Sequence, residues 1–69
     1  MQRENVKSSN LKSVGYDALA EVLEIEFLDG CVYQYFNVSE YVYNSLMGAS
    51  SLGKYFSQNI ENLYKYNKV

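Results

Sequence analysis

VLEIEFLDGCVYQYF, residues 22–36, decides the fold. Its first half alternates cleanly. Leu23, Ile25 and Phe27 share one side and Glu24 and Glu26 the other, the period-two pattern of a half-buried strand. Asp29-Gly30 reverses the chain, and VYQYF continues in β-branched and aromatic residues, so the stretch reads as a β-hairpin. Two turns compete for its register. A two-residue type I′ turn at Asp29-Gly30 sets Phe27 opposite Val32 and places Tyr33 and Tyr35 beside Glu24 and Glu26. A type I turn at Leu28-Asp29, with Gly30 as a left-handed bulge, sets Phe27 opposite Cys31 and moves both tyrosines to the side of Leu23 and Ile25. A slip of one residue inverts every side chain. The first register makes a tyrosine platform next to carboxylates that repel phosphate; the second makes core, with hydroxyls reaching the rim.

Upstream, SSNLKSVGYD, residues 8–17, contains a weaker strand around Lys12 to Tyr16, and DALA turns into the hairpin. Downstream, Ser39 is placed to cap a helix, with Glu40 in its first turn. Val38 and Tyr43 occupy the positions of a hydrophobic staple. Val42, Tyr43, Leu46 and Met47 form an apolar stripe, and Gly48 suits the C′ position that ends the helix. A second helix starts at Ser50 or Ser51 and carries Leu52, Phe56, Ile60 and Leu63 at helical spacing. The expected class is α+β: a three-stranded antiparallel β-meander followed by two helices packed on one face. Residues 1–5 are expected to fray.

With 69 residues and no proline, linker or repeat, the chain is expected to make one small domain. Such a chain buries only about 60% of the surface it exposes when unfolded. Eight tyrosines and three phenylalanines supply large buried areas for few rotatable bonds. The single cysteine, Cys31, makes no intramolecular disulfide. MQRENVKSSN, residues 1–10, lacks an apolar signal core, and no apolar run approaches the roughly 20 residues of a membrane span. A cytoplasmic protein without a membrane partner is the expectation. With no histidine and one cysteine there is no Ser-His-Asp or Cys-His arrangement and no multi-ligand metal site, so neither enzyme activity, metal nor cofactor is expected. Glu24 and Glu26, on an open strand face, read as solvated carboxylates.

The net charge of −2 is unevenly spread. Arg3, Lys7 and Lys12 outnumber Glu4 near the start, and Lys54, Lys65 and Lys68 outnumber Glu61 after residue 40. Between them lie only acids: Asp17, Glu21, Glu24, Glu26, Asp29 and Glu40. Any affinity for phosphate therefore belongs to the ends. Ser50, Ser51, Gly53 and Lys54 stand at a helix start, where free N–H groups and the dipole suit an anion, although the spacing is not that of a Walker loop. Serine caps and a packing glycine explain the same residues without a ligand. Tyr64, Lys65, Tyr66 and Lys68 interleave aromatic and basic side chains, as single-strand binders do, or else form a docked tail covering core. Ser8 and Ser9 have no base to activate them and read as a turn.

SSNLKSVGYD, then LEIEFLDGCVYQY, then SSLGKYFSQNI and a late YKY together closely resemble the KTSC domain, over roughly residues 6–66. That family is named after the C-terminus of some lysyl-tRNA synthetases and also occurs as free-standing bacterial and phage proteins. Its serine pair corresponds to Ser8 and Ser9, its Tyr-x-Tyr to Tyr33 and Tyr35, and its Gly-Lys-Tyr-Phe to Gly53, Lys54, Tyr55 and Phe56. A helix-entry proline common in such domains is absent here; Ser39 stands as the cap. The resemblance implies a KTSC-like domain over 1–69 and, through the synthetase, RNA as a partner.

The functional expectation is a non-catalytic binding module for RNA or a small nucleotide. Lys54 and the Ser50–Ser51 helix start would hold phosphate, Lys65 and Lys68 would add charge, and Tyr55, Tyr64 or Tyr66 would stack a base. Convergence of the two cationic ends on one flank, away from the acidic hairpin, is what that expectation requires. The alternative is a protein-interaction module, either a homo-oligomer or a binder of a host protein, since tyrosine is enriched at protein interfaces. A third reading is an oligomer that sequesters a signalling nucleotide between subunits.

Overall fold

The computed structural model describes Met1–Val69 and resolves the hairpin register. The Phe27 N–H donates to the Cys31 carbonyl at 2.9 Å, and the Gly30 N–H donates back to the Phe27 carbonyl at 3.0 Å. Gly30 sits at φ +93°, a conformation that costs a glycine no Cβ strain. Asp29 Oδ1 accepts the Cys31 N–H at 2.9 Å and locks the turn. The turn therefore runs through Leu28-Asp29 with Gly30 as the bulge. Ile25 faces Tyr33 and Leu23 faces Tyr35, so both tyrosines join the apolar side. The competing register would put Val32 and Gln34 there instead. Burying a large apolar side chain contributes roughly 1.5–3 kcal/mol, which favours the register that covers the rings.

The α+β class holds, but the sheet has five strands, not three. They are β1 (Arg3–Asn5), β2 (Leu11–Asp17), β3 (Val22–Phe27), β4 (Val32–Tyr35) and β5 (Tyr66–Lys68), in that spatial order. All pairings are antiparallel. The two added strands are the edges. Residues 3–5, expected to fray, pair with β2, Arg3 opposite Gly15 and Asn5 opposite Ser13. Both edge strands have three residues, all exposed, so neither carries an apolar alternation that a sequence pattern would register. Backbone pairing creates them, reinforced by the ion pair of Arg3 with Glu24 and the packing of Tyr66 on Tyr33 and Tyr35. β2 begins one residue before the expected strand and bulges at Lys12.

Between β2 and β3, Asp17 Oδ1 accepts the N–H groups of Leu19 and Ala20 and forms the turn. Asn37 turns the chain from β4 into the first helix at φ +60°, which asparagine tolerates. That helix, α1 (Glu40–Met47), is capped by Ser39, whose Oγ accepts the Val42 N–H at 3.3 Å. Tyr16 stacks on Tyr43 at 4.8 Å, and its hydroxyl donates to the Val38 carbonyl, tying the helix entry to the sheet. Gly48 ends α1, as expected, in a right-handed conformation at φ −91° and not in the left-handed one common for a glycine just past a helix. Its N–H continues the helical hydrogen bonding to Asn44 O.

α2 (Leu52–Asn59) is capped by Ser51, which accepts the Lys54 N–H. Phe56 and Ile60 are fully buried, but Leu63 is 69% exposed because the helix ends at Asn59 and the chain turns away. Leu63 therefore does not extend the apolar stripe. Leu11, Val14, Leu23, Ile25, Tyr35, Val38, Leu46, Phe56 and Ile60 form one core between a single sheet face and the helices. Phe56 meets Phe27 and Tyr35 edge-on, at 5.6 and 5.4 Å.

The opposite sheet face is polar yet not open. Glu24 is only 7% exposed, not a solvated carboxylate. It accepts from Gln34 Nε2 at 2.8 Å and pairs with Arg3. Arg3 Nε also donates to Ser13 Oγ, which in turn donates to Glu26 Oε1 at 2.8 Å. Gly15 makes this possible: a Cβ there would lie 2.9 Å from the Gln2 carbonyl and 3.0 Å from Arg3 Cγ. Arg3 crosses the strand over that bare position to reach Glu24 on β3.

Candidate functional site

Four rings meet where β4, β5 and the end of α2 adjoin. Phe27, Tyr33, Tyr35 and Tyr66 line a cavity of about 270 Å3 with Asp29, Cys31, Glu61 and Asn62. Each element contributes for a definite reason. The left-handed Gly30 sets the register that turns Tyr33 and Tyr35 inward. β5 pairs Tyr66 with Tyr35 and Lys68 with Tyr33, which carries a third tyrosine onto the same face. The α2 C-terminus at Ile60 releases the chain so that Glu61 and Asn62 form the remaining wall.

The rings are not a flat platform. Phe27 stands at 86° to Tyr33, 5.6 Å away. Tyr66 is tilted 50° to Tyr33 and 37° to Tyr35, at 5.5 and 5.6 Å. Tyr33 and Tyr35 lie 26° from parallel at 6.5 Å. Burial, then the charge of Glu61, then the neighbouring tyrosines raise the Tyr35 pKa to about 12. Asp29 is held below its ordinary pKa, first by the hydrogen bond from the Cys31 N–H and further by the Lys68 charge. Neither Asp29 nor Glu61 has a salt-bridge partner; the recorded ion pairs are Arg3 with Glu24 and Glu26, and Lys12 with Glu26. Chemically, the cavity offers aromatic faces and two carboxylates without a salt bridge, one of which, Asp29, accepts the Cys31 N–H.

The residues expected to bind phosphate fall in separate places. Ser50, Ser51, Lys54 and Tyr55 line a shallow hollow of about 180 Å3 with Gln58 and Asn59. Gly53 is not part of it. It is buried against the Ser8–Asn10 turn, where a Cβ would meet Ser8 Oγ at 3.2 Å. Ser8 Oγ itself accepts the N–H groups of Asn10 and Leu11, and Ser9 Oγ donates to Asn10 Oδ1. Tyr64 packs against the core, while Tyr66 joins the aromatic cavity. Lys65 contributes its carbonyl to the Phe36 N–H, and Lys68 lies on the β5 edge.

The two cationic ends do not form one cluster: β1 and β5, with Arg3 and Lys68, are opposite edges of the sheet, and Arg3 and Lys12 are paired with the hairpin's own glutamates. The segregation of positive ends from an acidic ribbon is absent for a simple reason. Adjacent antiparallel strands bring opposite charges together across the strand.

The cavity residues not singled out from sequence are Phe27, Asp29, Cys31, Glu61 and Asn62. A signal was present: the Asp-Gly turn borders the Tyr-x-Tyr strand, and Glu61-Asn62 precedes the YKY segment. Only the pairing of β5 with β4 joins the two.

The comparisons agree with this architecture. A crystal structure of a KTSC domain protein from Yersinia pestis superposes with a TM-score of 0.93 at 38% identity, covering 99% of this chain and 96% of that one. An uncharacterized protein of Stutzerimonas stutzeri is 43% identical over 58 residues, 84% of this chain and 82% of the relative. A lysine–tRNA ligase of Trichormus variabilis is 35% identical over 63 residues. Those residues are 91% of this chain but span only 11% of the ligase. The KTSC domain model matches residues 7–66, and the chain belongs to the KTSC domain family.

Proposed function

We propose that the protein is a non-catalytic module that recognises another protein through the tyrosine-lined face of β4 and β5. The carrying observation is the cavity itself, which joins Phe27, Tyr33, Tyr35 and Tyr66 to Asp29 and Glu61. Tyrosine-rich, partly exposed surfaces suit protein recognition because each ring offers large area at low entropic cost and a polar tip. The surroundings support the reading. Leu28, Leu63, Tyr66 and Val69 are exposed large hydrophobics, and all belong to the segments that build the cavity or flank it. The carboxylates disfavour a phosphate backbone there.

A photo-crosslinking residue at position 66, in cells of the native host, tests the proposal. It should capture a defined protein, whereas the same group at Tyr41, exposed on α1, should not. Crosslinks from position 66 to nucleic acid, or equal capture from both positions, overturn it.

A second reading keeps phosphate as the ligand, in line with the lysine–tRNA ligases among the relatives. What favours it is the joint lining of one hollow by Ser50, Ser51, Lys54 and Tyr55. Ser51 already accepts the Lys54 N–H as a cap, which leaves Lys54 as the principal anion contact. Titration of labelled single-stranded RNA at two salt concentrations tests this reading. Salt-sensitive binding lost in Lys54→Ala supports it, and binding that ignores salt or the substitution removes it.

A further inference from the structure

We infer that the tyrosine-lined cavity is a receptor for one cationic side chain, the guanidinium or ammonium of an arginine or lysine that a partner protein projects into it. The inference rests on the protein-recognition reading and names the chemistry of what enters. Three features of the cavity carry it: size, ring geometry and charge.

About 270 Å3 falls below the roughly 300–1,000 Å3 of pockets that enclose whole small-molecule ligands, and is suited to a single side chain. The ring arrangement selects among side chains. A nucleobase or another flat ring needs parallel faces on which to stack. Here Phe27 and Tyr33 are perpendicular and Tyr66 is tilted to both other tyrosines, so no plane satisfies all four rings. A compact cation has no such requirement, because it is attracted to the negative face of each ring it approaches within about 6 Å. Walls that meet at steep angles let one cation touch several faces.

Charge completes the argument. Asp29 and Glu61 stand on different segments, the hairpin turn and the loop after α2, and both line the cavity. Neither is neutralised by a salt bridge, unlike Glu24 and Glu26 on the other sheet face. Lys68 acts on Asp29 from β5, opposite Tyr33 on the same sheet face, without forming a salt bridge to either carboxylate. The raised pKa of Tyr35 and the lowered one of Asp29 describe the same surroundings: a Tyr35 phenol that stays neutral and an Asp29 carboxylate that stays charged. A partner's positive side chain would thus find aromatic faces for its stem and anions for its head.

The test is an NMR titration of the isotopically labelled protein with the peptide acetyl-Gly-Arg-Gly-amide, alongside the same peptide carrying neutral citrulline. The arginine peptide should shift the amides of Cys31, Tyr33, Glu61, Asn62 and Tyr66 with millimolar affinity and weaken with added salt. The citrulline peptide should bind about tenfold more weakly, the order expected for loss of cation–π and carboxylate contacts. Glu61→Gln and Tyr66→Leu, both at exposed positions, should each weaken the arginine peptide several-fold, and Lys54→Ala should leave it unchanged. Equal binding of both peptides overturns the cation receptor but leaves protein recognition standing. Shifts of these amides by single-stranded RNA and not by either peptide overturn both. No shift with either peptide also overturns the receptor.

Discussion

The two edges of the sheet are alike in length and opposite in use. β1 and β5 each have three exposed residues, and each is joined to the sheet by antiparallel pairing. Along β1, charge is consumed internally: Arg3 spans Gly15 to Glu24, and Ser13 relays the contact to Glu26. A hollow of about 430 Å3 lies along this edge, lined by Gln2, Arg3, Glu4, Val14, Tyr16 and Tyr43, but its aromatic rings are already stacked on each other. Along β5 the rings are splayed, and Asp29 and Glu61 form no salt bridge, although the Lys68 charge acts on Asp29. The lesson is that formal charge in a sequence does not report available charge. Cross-strand pairing neutralises one edge and leaves the other free to act.

The largest expected effect comes from the floor beneath the β5 side. Phe56→Ala removes the ring that Phe27 and Tyr35 both meet edge-on and should cost about 3–5 kcal/mol. For a chain this short that approaches the whole stability, so urea denaturation should show little or no folded baseline. Next comes the β1 edge. Gly15→Ala pushes a Cβ into the Gln2 carbonyl and Arg3 Cγ and should cost about 1–3 kcal/mol. Hydrogen exchange should then show lost protection where β1 pairs with β2 and unchanged protection where β5 pairs with β4. Loss at both edges would break the comparison.

Smaller effects separate the edges by pH. Burial raises the Glu24 pKa, but hydrogen bonds from Gln34 and Arg3 and the Arg3 charge outweigh it, and the net shift is downward. A lowered folded pKa stabilises the fold above the unfolded value of about 4.3 and is lost as pH falls through the folded one. Glu24→Gln should cost about 1 kcal/mol at neutral pH and flatten the acid limb of a stability–pH profile. Tyr35 works at the other extreme. Its raised pKa means the neutral phenol stabilises the fold below about pH 10, an advantage lost as pH climbs through the folded value of about 12. Tyr35→Phe should therefore be neutral within about 0.5 kcal/mol at pH 7 and should lack the alkaline loss of stability.

Much of the architecture was legible before any coordinates. The hairpin of residues 22–36, the cap at Ser39, a second cap at Ser50 or Ser51 and the buried Phe56 and Ile60 all follow from short-range rules that tie side-chain chemistry to local backbone. Gly48 shows a limit of such rules: a glycine permits a left-handed stop without requiring one, and here it continues right-handed. Leu63 shows another, since helical spacing persists in the letters after the helix has ended. The candidate site was half visible. Tyr33, Tyr35 and Tyr66 stood out as strand-spaced aromatics, but Asp29 and Glu61 looked like ordinary surface acids because nothing local brings them together. Lys54 and Lys68, grouped by sign, lie apart.

By itself, the sequence determined the class of fold, the hairpin and the apolar residues that make the core, because these depend on residue type and on periods of two or 3.6 that act over a few neighbours. The tertiary structure alone decided the register of the tyrosines, the two edge strands and which charges remain unpaired. Each of these depends on which distant segment supplies the opposing backbone or counter-charge, a choice set over the whole molecule rather than along the chain.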